Sequence, residues 1–167
     1  MIDELLALID EAYDHRSWHG TNLRGSIRGL SLDVAAWRPR PERHNVWELV
    51  VHAAYWKYAV RRRLTGASRG SFPLAGSNFW PRPEAGTARE WRADVALLAA
   101  EHRQLREAVG VFPRSRLQQR ASGSPFTNAA LIRGAAAHDL YHAGQIQLLK
   151  QLAGRRRSRR VAAHDIR

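Results

Sequence analysis

The sequence predicts an all-α protein, a four-helix bundle with a long crossover loop between helices 2 and 3. Three observations predict it. Apolar residues recur at helical spacing in four long blocks. No stretch shows the strict alternation of a half-buried strand, and no internal repeat is present. A Gly-, Pro- and Ser-rich connection over roughly residues 66–86 separates the second and third blocks, long enough for neighbouring helices to run parallel.

The first block spans Ile2 to Leu30, with Leu5, Leu6, Leu8 and Ile9 early and Leu23, Ile27 and Leu30 late; Gly20 and Gly25 are its candidate breaks. Ser31 is placed to cap a short turn, and Pro39 and Pro41 cannot continue a helix. The second block opens at Asn45, a suitable N-cap. It ends with Arg61, Arg62 and Arg63 in the last turn, where cations suit the helix dipole, before Gly66. Val46, Leu49, Val50, Ala53, Val60 and Leu64 share one face. The third block begins at Thr87 with Glu90 three residues on, a capping box, and carries Trp91, Val95, Leu98, Leu105 and Val109 as its stripe. A loop over about 110–126 follows. The fourth block runs from Thr127 to Ala153 and is expected to close at Gly154.

The 167 residues form one expected domain, 1–154, followed by a basic, flexible tail, 155–167. A hydrophobic content of 44% with six Trp excludes a disordered chain. No run approaches the roughly 18 apolar residues of a membrane span. The opening MIDELLALIDEAY has acids where a secretory signal has bases, so a cytoplasmic protein is expected. There is no cysteine, which removes disulfides, thiolate nucleophiles and Cys-rich zinc sites and leaves nitrogen and oxygen as metal donors. The formal charge is +12, nearly all from Arg, since Lys occurs only at Lys57 and Lys150. The densest cluster, RRRSRR at 155–160, lies beyond the apolar pattern. Nucleic-acid binding ranks last among its readings, because no aromatic platform or recognition motif accompanies the arginines. A role through the tail would show as steep salt dependence lost on truncation after Gly154.

The chemistry concentrates in HDLYHAGQIQLLKQ, residues 138–151. At about 100° per residue, His138 and His142 lie roughly 40° apart on a helix, in one stripe with Leu131, Gln145, Leu149 and Leu152. Two core imidazoles bonded to carbonyls or to each other would give the same pattern. His52 adds a third ring inside the apolar stretch LVVHAAYW, on the border of the stripe of Leu49 and Ala53. Two rings one turn apart plus one from a neighbouring helix suit zinc or a similar divalent ion. Three nitrogens with one open position is the catalytic pattern, since structural zinc sites close all four. Glu48, one turn before His52, is either a supporting partner or general base, or an exposed surface acid. Gln145 either orients a substrate or ligand or is a buried amide satisfied by backbone. His15 and His19 form a rival pair at the same spacing, though Gly20 and Thr21 interrupt the helix there. No GxSxG elbow and no GxxxxGK[ST] phosphate loop occurs.

HDLYHAGQI resembles the C-terminal motif of the DinB/YfiT-like superfamily of metalloenzymes. HNVWELVVHAAYWKYAVRRRLTG resembles that family's second helix, with His52 at the position of its first metal ligand, and SWHGTNLRGSIRGLS resembles its first-helix region. The resemblance extends from about residue 16 to 153. It implies a four-helix bundle, a His52, His138 and His142 site for zinc or nickel, and a homodimer. It further implies hydrolysis, or group transfer or isomerisation using a low-molecular-weight thiol cosubstrate. A non-enzymatic stress-response or binding module, with a structural or empty metal site, is the rival expectation.

Overall fold

Four of the six α-helices among the described residues start where a side chain accepts one of their first amides. In the computed structural model, which describes residues 1–76, 78–83 and 85–164, α1 spans Ile2–Tyr13, α2 Leu23–Ile27, α3 Leu32–Ala36, α4 Val46–Thr65, α5 Ala88–Gly110 and α6 Asn128–His164. Asn45 and Glu48 close a reciprocal capping box on α4, as Thr87 and Glu90 do on α5. Thr127 accepts the Ala130 amide at the start of α6. Gly66 ends α4 in the left-handed region, φ 74°, where a Cβ would be strained. Among the described residues the protein is all-α, and none of its helices is long and apolar enough to cross a membrane.

Two expected boundaries fail. The first block is not one helix: α1 stops at Tyr13, and α2 begins only at Leu23. The interruption is held by Asn22, whose Oδ1 accepts the Gly25 amide while its Nδ2 donates to the His15 carbonyl. Gly20 sits in it at φ 98°, whereas Gly25 lies inside α2. At the other end Gly154 does not close α6, which continues to His164. An interior glycine costs a helix only about 1 kcal/mol relative to alanine, and the arginines that follow are good helix formers. Residues 165–167 of the expected tail lie outside the described residues.

The long helices pack in a closed ring: α4 against α5, α5 against α1, α1 against α6, and α6 against α4. Their interior is two apolar clusters. One gathers Tyr13, Leu49, Val50, Tyr58, Trp91, Leu98 and Ile146; the other gathers Ile9, Val60, Leu64, Leu105, Val109 and Ile132. On every one of these helices a buried polar residue falls where one cluster gives way to the other: Asp10, Lys57, Glu101 with His102, and Asp139. The Lys57 ammonium bonds the Asp139 carboxylate and lies 3.4 Å from His102 Nδ1, and Arg106 grips Asp10 with two parallel bonds. Tyr13 stacks on His102 at 3.7 Å. A charged layer thus crosses the middle of the molecule.

Between α4 and α5, Asn78, Arg82 and Gly86 lie against the N-terminal half of α4, at His52, Glu48 and Trp47. Gly86 makes this possible, because a Cβ there would stand 2.5 Å from the Trp47 ring. Trp47 in turn donates to Asp94 of α5 at 2.5 Å.

Candidate metal centre

His52 projects from α4 and His138 and His142 from α6, and their Nε2 atoms converge. His138 Nε2 stands 3.0 Å from Nε2 of His52 and 3.0 Å from Nε2 of His142. Among the described residues these three form a group whose donor atoms all lie within 4.8 Å of one another. The outer nitrogens face protein oxygens. His52 Nδ1 meets the Asn78 carbonyl at 2.7 Å, and His142 Nδ1 meets Gln145 Oε1 at 2.6 Å. A carbonyl oxygen only accepts, so each Nδ1 carries the proton and each Nε2 presents a bare lone pair.

Burial keeps these rings neutral. It pushes His138 down to about 3 and His142 to about 4, and it lowers His52 against the opposing pull of the Asn78 carbonyl. With Nε2 of His52 and of His142 bare, His138 Nε2 either holds a proton between them or joins them in sharing a cation. Four-coordinate zinc, at 2.0–2.1 Å from each nitrogen, sets donors about 3.3 Å apart; the two pairs that include His138 stand at 3.0 Å, and the third lies within 4.8 Å. The donor set fits a borderline divalent ion.

The rings form one wall of a cleft of about 620 Å³, whose other lining includes Phe79, Tyr141, Leu148, Leu149 and Leu152, with Arg40 and Arg43. Phe79 stacks on His52 at 3.9 Å. Asn78 reaches His52 with its backbone in the left-handed region, φ 72°, and its side chain accepts from Trp56 Nε1 at 3.2 Å. Asn78 therefore orients one candidate ligand, and its neighbour Phe79 lines the cleft.

Of the residues singled out from sequence, His52, His138 and His142 come together. Gln145 joins them through His142, so its amide orients a candidate ligand and is not merely satisfied by helix backbone. Glu48 is neither exposed nor in contact with the three rings. It is buried, and it accepts from Arg38 at 2.8 Å, from the Arg82 amide at 3.2 Å and from the Asn45 amide at 3.4 Å, with His44 Nδ1 at 3.0 Å. Burial alone would raise its pKa, but Arg38, His44 and the Arg82 amide outweigh that and hold it below the usual carboxylate range. His15 is exposed and bonds Asp14; His19 is exposed, and neither joins the cluster. Sequence reasoning passed over His44, which lines the cleft. Its signal was available: His44 and Glu48 have the same i,i+4 spacing as His138 and His142.

An all-α protein with three convergent imidazoles in the wall of an apolar cleft defines a class, that of helical proteins able to hold a metal ion with histidine. Within it, the chain belongs to the DinB superfamily, whose family model matches residues 15–146. No curated protein and no solved structure matches it.

Proposed function

We propose that His52, His138 and His142 hold one divalent ion, zinc or nickel, and that the protein is an enzyme acting on a substrate in the adjoining cleft. The observation that carries this reading is the convergence of three neutral imidazole Nε2 atoms at the wall of a cleft. Such an ion, when bound, lowers the pKa of water or of a low-molecular-weight thiol, which supplies a nucleophile near neutral pH for hydrolysis or group transfer. The chain's residues do the rest. Asn78 and Gln145 fix ring orientation and tautomer. Phe79, Leu148, Leu149 and Leu152 exclude water and accept an apolar body, and Arg40 and Arg43 place positive charge for an anionic group. The closed ring of α1, α4, α5 and α6 is read as a four-helix bundle, with 66–87 as its crossover.

The competing reading is a non-enzymatic module with a structural or empty metal site; its structural form calls for a fourth protein donor, and among the described residues the donor group has three members. Cobalt substitution separates the two. A site with an open position gives a visible spectrum that shifts when 2-mercaptoethanol or azide is added. A spectrum indifferent to both would mean a closed site and would contradict the enzymatic reading.

A further inference from the structure

One histidine outside the cluster, His44, lines the same cleft as its three rings. We infer that His44 takes the proton from the attacking nucleophile at this site, and that Glu48 is the residue that positions it. The inference rests on the metal reading above and deepens it.

Three features separate His44 from an ordinary surface histidine. Its ring is held on two sides although it is half-exposed. Glu48 bonds Nδ1 at 3.0 Å, and Phe79 stacks on the ring at 3.8 Å with planes 4° apart. The same Phe79 stacks on His52 by its other face, so one phenyl ring separates His44 from a candidate ligand. Finally, the ring has one committed nitrogen and one free one. Glu48 is buried and kept ionised by Arg38 and the Arg82 amide, so it accepts only, and it forces the proton onto Nδ1. His44 Nε2 then carries a lone pair, makes no hydrogen bond to any described residue, and belongs to a ring lining the same cleft as the three histidines.

This is the arrangement general-base catalysis needs: an imidazole fixed in one tautomer by a buried carboxylate, with its other nitrogen open to substrate. With an ester as electrophile, the oxygen of water bonds to the acyl carbon while its proton passes to His44 Nε2. The acyl–oxygen bond breaks, its electron pair leaves on the alkoxide or phenolate, and the imidazolium, stabilised by Glu48, returns its proton to solvent. A thiol nucleophile loses its S–H proton to the same nitrogen. The apolar and cationic lining already described sets which electrophile enters; His44 sets how the proton leaves.

The test uses zinc-loaded full-length protein with 4-nitrophenyl acetate as probe, comparing wild type, His44→Gln, His44→Gly and Glu48→Gln, with zinc content measured on every sample. His44→Gln is expected to keep its zinc and lose roughly 10²-fold in kcat/KM. Added imidazole should restore His44→Gly, which a purely structural role would not allow. In the wild type, ¹⁵N NMR of the His44 ring should show Nδ1 protonated and Nε2 bare, and Glu48→Gln should mix the tautomers. Should Glu48→Gln fail to fold, the His44 variants stand without it. Wild type no faster than zinc-loaded His44→Gln, no imidazole rescue, or a proton on Nε2 would each overturn the assignment. Loss of zinc-binding by the wild type would overturn the metal reading instead, and the zinc measurement tells the two failures apart.

Discussion

His138 and Asp139 are consecutive residues of α6, and they serve opposite chemistries. His138 turns its Nε2 into a cluster of three neutral nitrogens beside an open cleft. Asp139 turns into the interior and meets Lys57, in a layer that Asp10, His102 and the half-exposed Arg106 continue across the molecule. Both regions are buried and both are polar, yet one pairs opposite charges, leaving only Asp139 Oδ1 without a partner among the described residues, and the other sets neutral nitrogens against each other. Burial pushes the Asp139 carboxyl up against the pull of Lys57, whereas in the histidine cluster burial strips the protons off and nothing in the protein replaces them. A layer of paired opposite charges is read as architecture, holding α4 and α6 in register. A convergent set of neutral nitrogens beside a cleft is read as a site.

The comparison breaks most severely at Lys57. Lys57→Met leaves the Asp139 carboxylate buried without its cation, and the expected cost is about 3–5 kcal/mol in urea unfolding of the metal-free protein. Adding Asp139→Leu to the same chain should recover most of that loss, because two apolar side chains need no partner. A double variant as unstable as the single one would mean that the layer contributes more than mutual neutralisation.

Acid gives the next effect. His102 is pushed down to about 3 by burial, with Lys57 adding to it, while the unfolded chain titrates near 6.5. Between those values the unfolded state binds a proton that the folded state refuses, so stability present above pH 6.5 falls as the pH drops towards 3. Lowering the pH from 6.5 to 5 should cost wild type about 2 kcal/mol more than His102→Phe, which keeps a ring against Tyr13 and has nothing to protonate. Equal losses in the two proteins would remove His102 from the acid response. The smallest expected effect is at Gln145. Gln145→Leu frees the His142 tautomer and should weaken zinc affinity about tenfold in a chelator competition, while leaving metal-free stability nearly unchanged.

These regions were not equally legible in the sequence. The helix starts were, because Asn45, Thr87 and Glu90 state their own hydrogen bonds locally. The three histidines were also legible, since each is an ionisable ring in an apolar stretch and their spacing puts two of them on one face. The charged layer was not. Asp139 lies off the histidine stripe, and a helix that packs against α1, α2 and α4 has no single inward face, so a stripe drawn towards one neighbour says nothing about another. Lys57 carried a faint signal as one of only two lysines, set within the apolar core of α4. Glu48 and His44 were misjudged or passed over for a related reason. Their partners Arg38 and Arg82 come from loops whose paths no periodicity predicts. The break after Tyr13 and the passage of α6 through Gly154 show the same limit: glycine marks where a helix can stop, and tertiary contacts decide whether it does.

The three converging histidines, His52, His138 and His142, are proposed to hold one metal ion. That they do so is tested most directly by elemental analysis of tag-free protein, wild type beside His142→Ala. The account predicts about one zinc or nickel per wild-type chain and most of it lost in the variant. Wild-type protein without metal, showing no thermal stabilisation by either ion, would contradict it.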